Sequence, residues 1–208
     1  MGKDSIYCRY IKGFLDRMVA LIGIICFWWL FLIVAIAIKI EDPKGPAIFK
    51  QERLGKHGKV YWMYKFRSMR VGAEQTGSGV YSDNRDTRVT KVGRVIRATS
   101  LDEIPQLWNI LKGDISLIGF RSPLTYHPWP WEQYTEEQRK MFELKPGITG
   151  WAQVHGRRTV EWNQRIEYNV WYAENVSFLL DLKILFMTVF KVLSSADNEN
   201  LGETVKNK

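Results

Sequence analysis

The sequence predicts an α+β protein: a mainly helical domain with short strands, attached to one N-terminal membrane-embedded helix and to amphipathic helices at the membrane interface. Three observations support this fold class. Residues 18–38 form an apolar run without charge or proline, apolar residues recur at helical spacing over residues 104–111, and two strand-like segments flank a glycine-containing turn. With 208 residues, the chain is long enough for one full-sized domain and an appendage.

The composition narrows the class of partner. A hydrophobic content of 46% excludes a disordered chain, while Cys8, Cys26 and three histidines form neither a disulfide framework nor a zinc motif. The net charge of +8 indicates an anionic partner, such as nucleic acid, anionic lipid or a phosphorylated small molecule. We expect no nucleic acid, because no recognition motif is present and a membrane segment does not help such binding.

Residues 18–38 are predicted to be embedded in a lipid bilayer. These 21 residues would reach about 30 Å as a helix, which is the thickness of the hydrocarbon core. A signal peptide and a buried core helix are the alternatives, but the run is long for a signal peptide and lacks a small-residue cleavage site. Basic residues flank both ends, so a re-entrant hairpin fits at least as well as a spanning helix. The rest of the chain is expected on the cytoplasmic face.

The chain divides into three parts by composition. Residues 1–40 form an interfacial lead-in and the membrane helix, residues 41–193 a membrane-associated domain, and residues 194–208 a polar tail. The segments "GPAIFKQERLG" and "VYWMYKFRSM" are predicted strands around a turn at residues 55–58. Residues 178–193 are predicted to form a mostly apolar helix, either at the membrane interface or against the membrane helix, with an ordinary core helix equally compatible.

The stretch "SLDEIPQLWN" places two carboxylates where a helix begins. Its Ser-x-x-Glu spacing is that of a capping box, in which Ser100 and Glu103 each satisfy a backbone donor of the other. The alternative is that the two carboxylates carry chemistry.

Pro105 favours the chemical alternative. If the helix began at Ser100, Pro105 would be its fifth residue and would lack a required N–H donor. We therefore predict a helix from about residue 102 to residue 111, ended by Gly113, with Asp102 and Glu103 on its N-terminal rim. The helix dipole would keep these carboxylates ionised there, as a nucleophile or a magnesium ligand requires.

Cations surround the acidic pair in the sequence. Arg97 is the cation closest to it, and Arg121 follows a short apolar strand in the loop "GFRSPL", where a guanidinium suits bidentate contact with phosphate. Lys65 and Arg67 in "YKFRSM" are further candidates for the same site. Other cations of the intervening segment are expected on a solvated or lipid-facing surface: Arg85, Lys91 and Arg94. Carboxylates, arginines and a membrane segment together suggest phosphoryl chemistry on a lipid.

Four motifs carry a family resemblance. They are "YKFRSM", "TKVGRVIRATSLDEIPQLWNILKGDISLIG", "KPGITGWAQVHGR" and "NVSFLLDLKIL", in this order. With them the chain resembles the small monotopic bacterial phosphoglycosyl transferases, the bacterial sugar transferase family, from the membrane segment to residue 193.

The resemblance implies a function. Such enzymes transfer a sugar 1-phosphate from a UDP-sugar to undecaprenyl phosphate and release UMP, with Mg2+ as cofactor. By motif position, Asp102 would be the nucleophile that forms a covalent phosphosugar intermediate, and Glu103 would support it and share the magnesium. Arg97 and Arg121 would hold phosphates. The reaction would start glycan or glycoprotein oligosaccharide assembly at the bacterial cytoplasmic (inner) membrane, with downstream glycosyltransferases as further partners.

The sequence departs from the family pattern at three places. Trp28 and Trp29 replace the Ser-Pro pair at which the re-entrant helix of the family bends. Phe120 and Ser122 replace the two prolines of Gly-Pro-Arg-Pro, and Asn169 stands where many members have an aspartate. These departures motivate an alternative hypothesis, a catalytically silent membrane scaffold that binds nucleotide sugars or partner glycosyltransferases.

Overall fold

The computed structural model describes residues 4–76, 86–156 and 161–193; Arg85 and the predicted tail at residues 194–208 lie outside these ranges. Its α-helices are α1 (Lys12–Glu41), α2 (Lys91–Ala98), α3 (Gln106–Lys112), α4 (Glu136–Arg139), α5 (Trp151–Gly156), α6 (Trp162–Asn175) and α7 (Phe178–Leu193). Its strands are β1 (Ile48–Leu54), β2 (Val60–Phe66), β3 (Ser116–Ile118) and β4 (Gly147–Thr149). The mixture of helices with short strands confirms the predicted α+β class.

Helix α1 contains the predicted membrane segment. A π-helical turn, Tyr7–Ile11, leads into it, and the helix continues through Trp28 and Trp29 to Glu41. The segment Tyr7–Glu41 is long and apolar enough to cross a membrane by length and composition, and only 11% of its most apolar window is buried. This exposure disfavours the alternative of a buried core helix, whose surface would be covered on all sides.

One side of α1 packs against the domain near both of its ends. Near the start, Asp16 accepts hydrogen bonds from β3, and Ala20 packs with Ile110 and Ile115. Near the end, Val34 and Ile38 belong to a cluster with residues of β2 and α2. From residue 12 to residue 38 this packed side extends about 39 Å along the helix axis. The helix therefore lies along the domain over most of its length.

The predicted strand pair forms an antiparallel hairpin. β1 pairs with β2 in a register that places Ile48 opposite Phe66 and Leu54 opposite Val60. The turn between them contains Gly58 at a positive φ of 72°, a conformation that glycine adopts without steric cost. A second, parallel pair joins β3 to β4. The loop that carries Arg121 leaves the end of β3.

The helix after the acidic pair begins later than predicted. α3 starts at Gln106 with Pro105 as its N-cap, and a separate 3-10 turn, Leu101–Glu103, holds the carboxylates. The capping box is also absent, because Ser100 has a positive φ of 57° and makes no side-chain cap hydrogen bond. The missing N–H of Pro105 costs nothing at an N-cap, which explains why the α-helix starts there.

The predicted helix end at Gly113 is confirmed. Gly113 has a φ of 87°, and its N–H bonds to the carbonyl oxygens of Asn109 and Ile110. This left-handed residue satisfies the terminal carbonyls of α3, as glycine commonly does just past a helix.

Helix α7 buries one side and exposes the other. Ile184 and Asp181 face a core cluster that includes Tyr172, and the helix packs mainly on α5, β3 and β4. Its exposed apolar side chains are Phe178, Leu179, Leu182, Leu185, Phe186, Val189 and Phe190. The helix is therefore a core element on one side, while its other side presents an apolar surface to the surroundings.

Candidate active site

Asp102 of the acidic pair borders a cavity of about 390 Å³ beside the β1–β2 hairpin. Among the residues that line this cavity, Asp102 carries the carboxylate. The cations of the lining are Lys65, Arg67, Arg70 and Arg97. The apolar side chains of the lining include Pro46, Phe49, Phe66, Met69, Val71 and Ala73. The structure thus combines Asp102 with three predicted phosphate-binding residues, Lys65, Arg67 and Arg97, in one partly apolar cavity.

Asn109 positions the acidic pair relative to β2. Its side chain is fully buried in α3, where its Oδ1 accepts from the Tyr64 backbone N–H at 3.0 Å and its Nδ2 donates to the Trp62 carbonyl at 2.7 Å. The Tyr64 N–H and the Trp62 carbonyl lie on the edge of β2 that faces away from β1. One amide therefore joins the open edge of the hairpin to α3, and so sets the distance between Lys65 and the turn that holds Asp102.

The end of α1 positions α2, which carries Arg97. Glu41 accepts hydrogen bonds from the backbone N–H groups of Lys91 and Val92 at 2.7 and 2.8 Å, so it caps the N-terminus of α2. Gly93 packs closely against the segment that follows β2: a Cβ on Gly93 would be 1.9 Å from the Ser68 carbonyl oxygen. This close approach brings α2 and Arg97 against the segment that forms the cavity wall.

Glu103 is paired with Lys65. The Lys65 Nζ lies 2.9 Å from the Glu103 Oε1, and the two side chains are 20% and 22% exposed. An ion pair at this partial burial is screened less than a surface pair. The pair holds Glu103 beside Asp102 and places a positive charge next to both carboxylates.

Burial is the largest influence on Asp102, and it raises the pKa of this carboxyl above its ordinary value. Lys65 and Arg97 act in the opposite direction, while the negative charge of Glu103 raises the pKa further. The predicted stabilisation by a helix dipole does not apply as proposed, since α3 begins only at Gln106. The neighbouring cations are therefore the groups that favour the ionised form.

Arg67 has a structural partner at the cavity. Its side chain is buried, and its guanidinium donates to the Asp42 Oδ2 at 2.9 Å and to the Asp42 carbonyl at 2.5 Å. These bonds attach the segment after β2 to the residue that ends α1. Its role in binding phosphate stays a prediction, and the geometry adds a second role in anchoring α1.

Arg121 lies apart from this cavity. Arg121 is not among the residues that line the described cavity, and it lies near Tyr61 instead. Tyr61 precedes Lys65 by four residues on β2, so about 13 Å of strand separates these two positions. Burial raises the pKa of Tyr61 to about 12, and Ser122, Arg53 and Arg121 oppose this rise. Contact between Arg121 and a substrate phosphate stays a prediction.

The residues beside Arg121 explain how its loop is held without prolines. Phe120 is 1% exposed and packs edge-on against Phe142 at a ring distance of 4.9 Å. The Ser122 hydroxyl donates to the Leu54 carbonyl at 2.7 Å. Core packing on one side and a buried hydrogen bond on the other thus restrain Arg121.

Two residues of the site were not predicted from the sequence. Arg70 lines the cavity together with Lys65 and Arg97, and it directly follows the motif that contains Lys65. Asn109 could have been noticed as a polar residue on the otherwise apolar side of a short helix. Asn169, one of the departures, is buried in α6, and its Oδ1 has no hydrogen-bond partner in the described structure.

The residues that could hold a metal are few. Within residues 4–76, 86–156 and 161–193, no group of three or more His, Cys, Asp or Glu side chains has the geometry of a metal site. Asp102 and Glu103 are adjacent, however, and Mg²⁺ commonly binds one or two carboxylates together with substrate phosphates rather than an all-protein cage. The carboxylates of Asp102 and Glu103 are compatible with this second kind of site, and magnesium binding there stays a prediction.

Asp102 and four cations thus line one cavity, in a protein with a long apolar helix. The family model described as bacterial sugar transferase matches residues 7–195. The chain therefore belongs to the bacterial sugar transferase family, as the motifs predicted.

Individual relatives agree with this assignment. The chain is 49% identical over 166 residues to the "uncharacterized sugar transferase EpsL" of Bacillus subtilis, covering 80% of this chain and 78% of that protein. It is 40% identical over 190 residues to a UDP-glucose:undecaprenyl-phosphate glucose-1-phosphate transferase of Caulobacter vibrioides, covering 88% and 70%. A relative with the same activity name from Xanthomonas campestris is 37% identical over 192 residues, but the match covers only 40% of its length.

Proposed function

We propose that this protein transfers a sugar 1-phosphate from a UDP-sugar to undecaprenyl phosphate and releases UMP. The observation that carries the proposal is the position of Asp102 on the wall of a cavity, beside Glu103 and within reach of the charges of Lys65 and Arg97. The names of the relatives support the substrate class, since they include glucose, galactose and N-acetylgalactosamine phosphate transfer to undecaprenyl phosphate.

In the proposed first step, a carboxylate oxygen of Asp102 attacks the phosphorus bonded to the sugar oxygen. The new bond joins Asp102 to the sugar phosphate, and the bond to the bridging oxygen of the diphosphate breaks, so UMP leaves with that oxygen. In the second step, an oxygen of the lipid phosphate attacks the same phosphorus. The aspartyl bond then breaks, the lipid diphosphate sugar forms and the Asp102 carboxylate is regenerated.

The cations have two tasks in this mechanism. Lys65, Arg70 and Arg97 would neutralise the charge of the diphosphate, which otherwise repels an attacking carboxylate. Lys65 and Arg97 also favour the ionised form of Asp102 against the effect of burial. Asp102 and Glu103 would hold Mg²⁺ together with the phosphates, where a bound magnesium ion supplies further charge neutralisation.

The packing of α1 supports a placement in which the helix does not cross the bilayer. Its two ends contact the same domain, through Asp16 at one end and through Glu41 and Asp42 at the other. A spanning helix would separate these contacts by the membrane thickness. With both ends on one surface, the exposed apolar sides of α1 and α7 would face the lipid.

The test is UMP release by the full chain in detergent, with magnesium, undecaprenyl phosphate and a panel of UDP-glucose, UDP-galactose and UDP-N-acetylgalactosamine. The wild-type protein should release UMP with at least one sugar. Asp102→Asn should reduce the rate at least about 10³-fold, because an amide is not a nucleophile at phosphorus. Glu136→Gln is the matched control, since Glu136 is an exposed carboxylate of α4 outside the cavity and its substitution should leave the rate within twofold.

Two outcomes would refute the proposed function. One is full activity of Asp102→Asn. The other is binding of UDP-sugars without UMP release from any of them, which would instead support the catalytically silent scaffold.

A further inference from the structure

A second cavity lies at the N-terminal end of α1. It has a volume of about 530 Å³ and is formed by the start of α1, the hairpin turn and the segment before β4. We call it the lead-in pocket. Its basic lining residues are Arg9, Lys12, Arg17, Lys56 and Lys145, and its acidic lining residues are Asp4, Asp16 and Glu143. The volume is in the range of cavities that bind small ligands.

Part of this charge is already compensated. Lys12 forms a buried ion pair with Asp181, and Asp16 accepts hydrogen bonds from the Ser116 hydroxyl and the Leu117 N–H. In contrast, Arg17, Lys56 and Lys145 form no ion pair with any residue in the described ranges. The lining holds five basic and three acidic side chains, so an excess of positive charge remains among the described residues even after Lys12 is paired with Asp181.

Two of these cations converge on one point. A Cβ on Gly113 would lie 2.7 Å from the Arg17 Nη2 and 3.3 Å from the Lys145 Nζ. Burial lowers the pKa of Lys145, and the charges of Arg17 and Lys56 lower it further. Asp16 and Asp114 act in the opposite direction, but the pKa of Lys145 stays below its ordinary value. A bound anion would relieve the remaining repulsion.

The surroundings of the lead-in pocket are apolar. Ile6, Tyr10 and Phe14 are exposed at the start of the chain, and Tyr7 packs edge-on against Phe178 of α7 at 5.7 Å. The pocket thus lies where the exposed apolar sides of α1 and α7 begin. A ligand that fits this arrangement carries both an anionic headgroup and long apolar chains, which is the chemistry of a membrane lipid.

The lead-in pocket is separate from the active-site cavity. The pocket is lined by α1 residues up to Arg17, whereas the active-site cavity lies beyond the other end of the helix at Glu41. The helix between them is about 36 Å long. The two cavities share no lining residue among those described.

We propose that the lead-in pocket binds the phosphate headgroup of an anionic membrane phospholipid, with the acyl chains along the apolar sides of α1 and α7. The site holds the N-terminal end of α1 at the membrane surface. This inference rests on the membrane placement in the proposed function and is independent of the transfer chemistry.

The experiment uses the full chain in nonionic detergent, with fluorescent phosphatidylglycerol in mixed micelles as the probe and phosphatidylcholine as the uncharged-headgroup comparison. Wild-type protein should bind phosphatidylglycerol saturably and in preference to phosphatidylcholine. Removing one cation near an anionic lipid should weaken binding about fivefold, so the double variant Arg17→Gln, Lys145→Gln should weaken it about 25-fold. Lys56→Gln, on the exposed turn, should weaken it about fivefold without disturbing the core.

Matched controls separate this site from other causes. The double variant Lys59→Gln, Lys91→Gln removes the same charge from exposed positions outside the pocket and should bind phosphatidylglycerol as the wild type does. Asp102→Asn should also bind normally. The proposal is overturned if Lys56→Gln and the pocket double variant bind like wild type, if the control double variant weakens equally, or if Asp102→Asn abolishes lipid binding.

A second arm uses inorganic phosphate as the probe, measured by equilibrium dialysis. We expect no pocket-dependent phosphate binding at concentrations where phosphatidylglycerol binds. Pocket-dependent binding of phosphate without binding of the lipid would overturn the lipid as the ligand. UMP release by the wild-type protein is measured in parallel. Wild-type protein that releases UMP but does not bind phosphatidylglycerol refutes only this inference, whereas wild-type protein that binds phosphatidylglycerol but releases no UMP refutes only the proposed transfer reaction.

Discussion

Asn109→Leu removes a buried side chain that hydrogen-bonds α3 to the open edge of β2. Its amide makes three hydrogen bonds: it accepts from the Tyr64 N–H at 3.0 Å, and it donates to the Trp62 carbonyl at 2.7 Å and to the Asp114 Oδ2 at 3.0 Å. Leucine has a similar volume but no polar atom. The substitution therefore leaves the Tyr64 and Trp62 backbone groups without partners, while the packing around α3 changes little.

The expected loss follows from these two orphaned groups. Each buried donor or acceptor without a partner costs about 1–3 kcal/mol. After allowing for the apolar gain of leucine, we expect the free energy of unfolding to fall by about 2–4 kcal/mol. For a chain of this size that corresponds to an unfolding temperature lower by about 4–16 °C. UMP release should also fall about tenfold or more, because Lys65 on β2 loses its fixed position relative to Asp102.

Thermal unfolding in detergent and the UMP-release rate measure the two effects. Asn175→Leu is the control, since Asn175 is exposed and its Nδ2 donates to the Trp171 carbonyl within the same helix. The control should change the free energy of unfolding by less than about 0.5 kcal/mol. An Asn109→Leu protein with the unfolding temperature and kcat/KM of wild type would refute the positioning role of this amide.

Two further predictions concern the same site. The first is measured by the pH titration of the Asp102 carboxyl ¹³C shift in metal-free protein. Glu103→Gln removes a like charge and should lower the pKa of Asp102, whereas Lys65→Met removes a cation and should raise it. Shifts of both variants in the same direction would contradict this electrostatic account. Gly93→Ala should lower the free energy of unfolding by about 1–3 kcal/mol in thermal unfolding, because its Cβ would meet the Ser68 carbonyl at 1.9 Å; an unchanged unfolding temperature would show that α2 tolerates the displacement.

The acidic pair shows where local patterns succeed and fail. The residue types of "SLDEIPQLWN" predicted carboxylates near a helix start, and Gly113 predicted where the helix ends. The predicted start of the helix, at about residue 102, was wrong. Two local patterns, a capping box and a proline, favoured different starts, and α3 begins at Gln106. The observed 3-10 turn orients Glu103 towards Lys65, a residue 38 positions away in the sequence, and no local pattern contains that contact.

The basic residues show the same division. Lys65 and Arg97 were predicted near Asp102 and do line its cavity, whereas Arg121 lies towards the other end of β2. Arg67 was predicted from its motif, but its ion pair with Asp42 depends on where α1 ends relative to the hairpin. Charge and motif identify which residues are able to bind phosphate. Their distances depend on strand register and helix packing.

The apolar helix, the hairpin, the acidic pair and the family could all be predicted before any coordinates, because each depends on composition or on residues that are neighbours in the chain. Three features became visible in the folded protein: α1 lies along the domain, Asn109 joins α3 to β2, and Arg17 and Lys145 meet beside Gly113. The physical reason is that these contacts join segments far apart in sequence. Their geometry results from packing and buried hydrogen bonds among all the elements together.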